Sequence, residues 1–398
     1  MDITTNRRVR EQSIPKSELL KEREENLLKT VRREKHDYIP TLAHSGAALV
    51  HYAGKTLREV QEDIDKCTDA FLKAFDDLYC DCSIALRVNY SIHSRASLGE
   101  NTQNYLGPDG VTIEHVQKSF MKEDEYPLLI KDANKFVKDV MVKRKYPFLY
   151  VGDSKKAVKA IQTLVDDSIY SNIILGPHMA AALREKYAVT TMNLGYLFQN
   201  PLDSIFDHFR GFQGCLIDLR RRKGEVKEAC DHLWQTNSNR LEKIDRTYPF
   251  VTNWPHIPTY LSPKQFEELY WPYTKMAIEN CKKSGQIFYF SAEGSWLKFM
   301  DYFRDIPKDS VIIHCDNDDT IEMSKKIGDW QIIAGGCNLA RLRTCSKQVN
   351  IDYAKRVIDE CAHTNAFIFT ADRTWVCPGD INQNLLDVYE YVYENGKY

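Results

Sequence analysis

The sequence predicts an α/β fold: a (β/α)8 TIM barrel with an N-terminal helical extension and an insertion between the second and third strands. Three observations carry this. Short β-branched or aromatic runs alternate with longer amphipathic stretches, the βαβα order of a parallel sheet. Eight such runs can be counted. Their apolar character is nearly continuous rather than alternating, as strands covered on both faces require.

The elements follow in order. Residues 1–37 are charged throughout and read as a helical extension. The candidate strands are 38–44, 83–90, 188–195, 250–257, 286–293, 310–317, 330–336 and 366–372. Amphipathic helices are predicted over 263–285, 319–329, 346–364 and 382–396. Four strand-helix units therefore fit between 286 and 398 at about 28 residues each, the length of a compact βα unit. The first half is looser. A helical insertion at about 91–187 holds the amphipathic stretch 122–147 and another near 155–167. The whole of 1–398 is expected to form one barrel domain.

Composition excludes several classes. At 43% hydrophobic and 28% charged, without a Gly, Ser or Pro bias, the chain has the makings of a packed core and no disordered tail. Its longest apolar runs, at 311–314 and 366–369, fall far short of the roughly 20 residues of a membrane span. Lys plus Arg is 54 against Asp plus Glu 56, so no net field attracts nucleic acid or anionic lipid. The basic run at 220–224 reads as a solvated helix end. The opening residues lack the apolar stretch of a secretory signal, and eleven scattered cysteines suit reduced thiols. The expected compartment is the cytoplasm.

In such barrels catalytic groups sit where strands end at their C-terminal side. That rule selects Asn89 on the second strand, Trp254 and His256 on the fourth and Glu293 on the fifth. His314 and Asp316 follow on the sixth, Cys337 after the seventh, and Asp372 with Cys377 after the eighth. His314 and Asp316 share a strand face by their alternate spacing, which turns Cys315 toward a helix. His44 could line the mouth from the first strand, whereas His36, His51 and His115 read as surface residues and Cys80 and Cys82 as core. Carboxylates, imidazoles and thiols of this set are ligands that zinc accepts, or hydrogen-bonding groups for a polar substrate.

The segments at 21–40, 122–137, 200–230, 286–319, 332–338, 355–375 and 384–398 carry a resemblance. By them the chain resembles the uroporphyrinogen decarboxylase-like superfamily, and within it the corrinoid-dependent methyltransferases of anaerobic O-demethylase systems. The decarboxylases carry an Arg-rich loop after the first strand and an Asp after the second; here those places read HSGAALVHYAGK and VNYSIH. The coenzyme M methyltransferases carry His-x-Cys on the sixth strand, where this chain has His314 and Asp316. The O-demethylase branch implies zinc held by a Glu and by a His twenty-one positions later, matched by Glu293 and His314. Its further Glu falls at Ile278, beside Glu279.

The resemblance thus implies a methyltransferase that moves methyl from a small methylated substrate, a methyl ether, to the Co(I) corrinoid (cobalamin) of a separate corrinoid protein. Zinc on Glu293, His314 and Cys377 would act as Lewis acid, with Asp316 as a third catalytic group. Asn89, Trp254, His256 and Asp372 would bind substrate, and the barrel could pair as a homodimer. The alternatives are a uroporphyrinogen decarboxylase-like decarboxylase of a carboxylated substrate and a non-catalytic ligand-binding barrel.

Overall fold

The computed structural model describes residues 7–84, 91–150, 152–192, 194–241 and 249–397. All eight candidate strands occur: β1 Thr41–Ala43, β2 Cys82–Ile84, β3 in two segments (Thr190–Met192 and Leu194–Leu197), β4 Phe250–Asn253, β5 Ile287–Ala292, β6 Val311–Cys315, β7 Ile332–Cys337 and β8 Phe367–Ala371. Every pairing among them is parallel. The ladder runs from the first segment of β3 through β2, β1, β8, β7, β6, β5 and β4 to the second segment of β3. Because those two segments follow one another in the chain, the sheet closes on itself as a barrel with its seam at β3. Apart from β2, whose predicted run at 83–90 extends beyond the described residues, the strands pair over less than the apolar runs predict. Residues such as Trp254 and Asp316 belong to the loops that leave the barrel.

Alternation along each strand divides the core in two. Leu42, Cys82, Met192, Phe250, Tyr289, Ile312, Ile332, Ala334 and Ile368 fill the barrel interior. Their sequence neighbours, among them Phe288, Phe290, Ile313, Cys315, Ile333 and Phe369, face the surrounding helices in the larger outer core. Cys315 therefore packs outward, as its spacing predicts.

The helix Lys16–Val31 adds Leu27 and Val31 to the inner cluster and plugs the floor of the barrel. Arg33 fastens that floor: its guanidinium donates to the carbonyls of Gly328, Gln331 and Thr364 and pairs with Asp309. Below β1, the buried Arg7, Glu11, Arg23 and Asp81 form a paired network in which each charge has a partner. His36 is buried here, hydrogen bonded to Thr30 and to the Glu34 carbonyl, so the expectation of a surface histidine is corrected. With the floor sealed, the open end lies where the strands end.

Between β2 and β3 the chain carries helices at Ser94–Leu98, Tyr126–Lys131, Ser154–Ile169 and Gly176–Tyr187. It also holds a hairpin, Asn104–Leu106 with Ile113–His115, which periodicity had not predicted. The last helix returns along the barrel wall against Ile64–Leu72 and Lys16–Val31. No helix among the described residues is long and apolar enough to cross a membrane. All eleven cysteines are free, and Cys80 and Cys82 are buried.

Candidate active site

Two layers of polar groups occupy the open end. The deeper layer is dry. His44, just after β1, and His314, on β6, are fully enclosed and stack at 4.5 Å between ring centroids. His314 Nε2 lies 2.7 Å from the Ala371 carbonyl, an acceptor only, so that nitrogen carries the proton and Nδ1 accepts from Ser291 Oγ at 3.1 Å. His44 hydrogen bonds Tyr289 OH at 3.1 Å and Thr374 Oγ1 at 2.8 Å. Burial, with no carboxylate to compensate, lowers His314 to about 4. Burial together with His314 pushes His44 well below its ordinary value. Both imidazoles are neutral at pH 7.

The upper layer is charged and half-open. The loop after β4 is pinned by the buried Asp203, which accepts from the amides of His256 and Ile257 at 3.0 Å each and from Tyr270 OH at 2.7 Å. This turns the His256 ring to the rim. There Nδ1–H donates to both oxygens of Asp207 at 2.9 Å, and Nε2 stands 3.5 Å from a Glu293 oxygen. Burial opposes charge on His256. The hydrogen bond and charge of Asp207, then Glu293 and Asp203, override it and raise the imidazolium to about 9.

Glu293 closes the array. Burial raises its carboxyl to about 7; His256 pulls it down, while Asp316, Asp203 and Asp207 push it up. Asp203 is likewise raised to about 6, by burial and by Asp207. The turn after Glu293 requires Gly294: its φ is +82°, and an added Cβ would meet Thr259 Cγ2 at 2.4 Å. The Gly294 amide donates to Asp316 at 2.8 Å, and Trp296 Nε1 donates to the Glu293 carbonyl at 2.9 Å. The arrangement places a carboxyl that exchanges its proton near neutrality beside a lasting positive charge, a proton donor and acceptor facing solvent.

The remaining predicted residues scatter. Asp316 supports the Glu293 turn, and burial raises its carboxyl. Asp372 sits behind the mouth, accepting weakly from the Leu339 amide at 3.3 Å, with burial raising it to about 6. Trp254 is half-buried, edge-on to His44 at 5.9 Å, and forms one wall of the deeper layer. Asn89 lies outside the described residues. Cys337 is buried, and burial followed by Asp372 holds its thiol well up. Cys377 is exposed, its amide bonded to Asp380 at 2.7 Å.

Among the described residues no group of three or more His, Cys, Asp or Glu could hold a metal ion. The implied trio fails for local reasons: both His314 nitrogens are engaged, Glu293 is paired with His256, and Cys377 lies in the solvent-exposed loop after β8. The residues as arranged do not fit the metal.

Strand ends did not reveal Asp203 and Asp207, which lie on the helical stretch after β3, Pro201–Ser204 and Ile205–Arg210. Their one signal was that both fall inside 200–230, a segment that carried the family resemblance. Tyr289, Ser291 and Thr374 were also missed, the first two being neutral residues of ordinary strand composition and the third lying in the loop after β8.

No family model matches the chain, and no curated protein matches it in sequence. Solved structures do resemble it. A methyltransferase from Methanosarcina mazei superposes with a TM-score of 0.55 at 11% identity, covering 92% of this chain and 96% of that one. At that identity the likeness establishes a shared fold over nearly the full length, and the fold alone.

Proposed function

We propose that this chain transfers a methyl group from a small methyl ether to the Co(I) corrinoid of a separate protein, with Glu293 as proton donor. The observation that carries the reading is the Asp207–His256–Glu293 array. An ether oxygen is a poor leaving group, and the mouth presents a carboxyl whose proton is available at neutral pH. The fold shared with a solved methyltransferase and the family resemblance of the sequence support the same reading.

In this reading the substrate would lie with its methyl group toward the open mouth, the side from which a corrinoid protein would approach. Co(I) gives its electron pair to the methyl carbon and is formally oxidised to Co(III). The carbon–oxygen bond breaks with its pair on oxygen, and Glu293 supplies the proton that yields the alcohol. His256, fixed in charge by Asp207, first counters the negative charge growing on oxygen and then the Glu293 carboxylate left behind. Trp254 and the neutral, enclosed His44–His314 pair form an uncharged floor beneath the substrate.

The test uses the purified chain, free cob(I)alamin as acceptor, and a series of methyl ethers whose leaving alcohols differ in acidity. Loss of the Co(I) absorbance reports methylation. Glu293→Gln should cost about 10²–10⁴-fold with alkyl methyl ethers and far less with acidic phenolic ones, which leave unaided. Equal losses across the series would remove Glu293 as proton donor. A wild-type chain that methylates the acceptor from no ether would end the reading.

A further inference from the structure

The helix Ser154–Ile169 continues through Tyr170–Leu175, and its two faces differ in what they meet. Ala157, Ser171 and Leu175 are buried against the protein. Val158, Ile161, Val165, Ile169 and Ile173 point the other way, 43% to 68% exposed, spaced three or four residues apart. That spacing makes one continuous apolar stripe on a helix. With Ile174, this segment holds six of the fifteen exposed large apolar side chains described, so they are concentrated here rather than scattered. Contiguous apolar surface on a folded domain marks a place that something covers.

The charges flanking the stripe say what. Lys155 and Lys159 lie one turn apart, and Asp166 lies two turns beyond Lys159 on the same flank; all three are exposed. Among the described residues neither lysine has an ion-pair partner. The flank therefore reads cation toward the N-terminus and anion toward the C-terminus. A second copy of the same helix laid antiparallel brings Lys159 of each copy to Asp166 of the other, with the stripes face to face. An isologous contact of this kind satisfies both stripes at once and closes.

We propose that the outward face of 154–175 is a two-fold antiparallel interface with a second copy of this chain. The opposite side of the same helix, through Leu164, Asp167 and Ser171, lines a cavity of about 320 Å³ whose far wall includes His208, next in sequence to Asp207. The inference stands on the stripe and its charges, independently of the reaction proposed above.

Sedimentation velocity of the full chain tests it. The wild type should sediment as a dimer at micromolar concentration, and Ile161→Asp/Val165→Asp as a folded monomer with unchanged circular dichroism. Lys159→Asp should weaken pairing by about tenfold, and Lys159→Asp/Asp166→Lys should restore it, because the swap preserves antiparallel complementarity. A wild type that stays monomeric, or a dimer indifferent to Ile161→Asp/Val165→Asp, overturns the proposal. So does a wild-type monomer that binds anionic phospholipid vesicles through the stripe, which would give this face to a lipid surface instead.

Discussion

His314, on β6, and His256, in the loop after β4, stand on either side of β5 in one barrel mouth, yet they are held in opposite states. His314 is enclosed, stacked on His44 and bonded to a carbonyl and a hydroxyl; the Ala371 carbonyl favours a positive ring, but burial outweighs it and no carboxylate adds to it. His256 is half-exposed and bonded to a carboxylate, with a second carboxylate on its other nitrogen. Depth alone would lower both. What separates them is whether the partner is neutral or anionic, and this divides the mouth into a dry floor that shapes and a charged rim that reacts.

The largest expected effect breaks the comparison into stability and rate. His314→Ala should cost about 3 kcal/mol of folding stability by urea denaturation, from the cavity and the stranded Ser291 hydroxyl. His256→Ala, at the half-exposed rim where solvent screens its ion pairs, should cost clearly less stability than that while lowering the methylation rate about 100-fold. Equal stability losses would erase the distinction between floor and rim.

Acid sharpens it next. His314 is about 4 when folded against an ordinary 6.5, so its unfolded form takes the proton first. Its contribution is fully present above pH 6.5 and is lost, at about 1.4 kcal/mol per pH unit, as pH falls toward 4. His44 adds in the same direction. Urea midpoints at pH 7, 5.5 and 4.5 should fall more steeply in the wild type than in a His44→Gln/His314→Gln chain.

At the rim the sign reverses. His256 is raised to about 9, so its ion pairs stabilise the fold below pH 6.5 and fade as pH rises through 9. Its imidazole resonances should titrate near 9, and Asp207→Asn should move that midpoint down by at least about one unit. A midpoint already near 6.5 in the wild type would mean that Asp207 does not hold the charge. The smallest expected effect is that of Cys377→Ser. An exposed thiol outside any ligand set should change neither bound metal, by elemental analysis, nor rate by more than about twofold.

The barrel was legible because its strands are buried on both faces and its helices on one, and those two periodicities survive in the sequence. Boundaries were less so. The apolar runs continue past the last paired residue into loops such as 254–257, where burial by the mouth mimics burial by the sheet. The hairpin at 104–115 pairs only with itself across three residues a side, too few for a pattern to emerge. For the site, strand ends led to Glu293, His256, Trp254 and Asp316, since backbone geometry alone brings strand ends together. They could not show that His314 lies beneath the reactive layer, because depth in a barrel depends on stagger between strands. Nor could they supply Asp207, which reaches the mouth from a helix.

The seam at β3 carries a consequence for how the molecule assembles. Strands β4 to β8 pair with neighbours adjacent in sequence and can zip up as a contiguous half-sheet. Thr190–Met192 must instead find β2 across roughly a hundred intervening residues, while Leu194–Leu197 finds β4. Loop closure makes that ladder costlier than any among β4 to β8, and only the pairing of β1 with β8 spans more chain. The mouth is complete only when β3 is seated, and Asp203 and Asp207 follow it within a dozen residues. A chain with β3 unseated has Glu293 and His314 on the paired later strands but not the carboxylates that charge His256, so chemical competence requires β3 to dock.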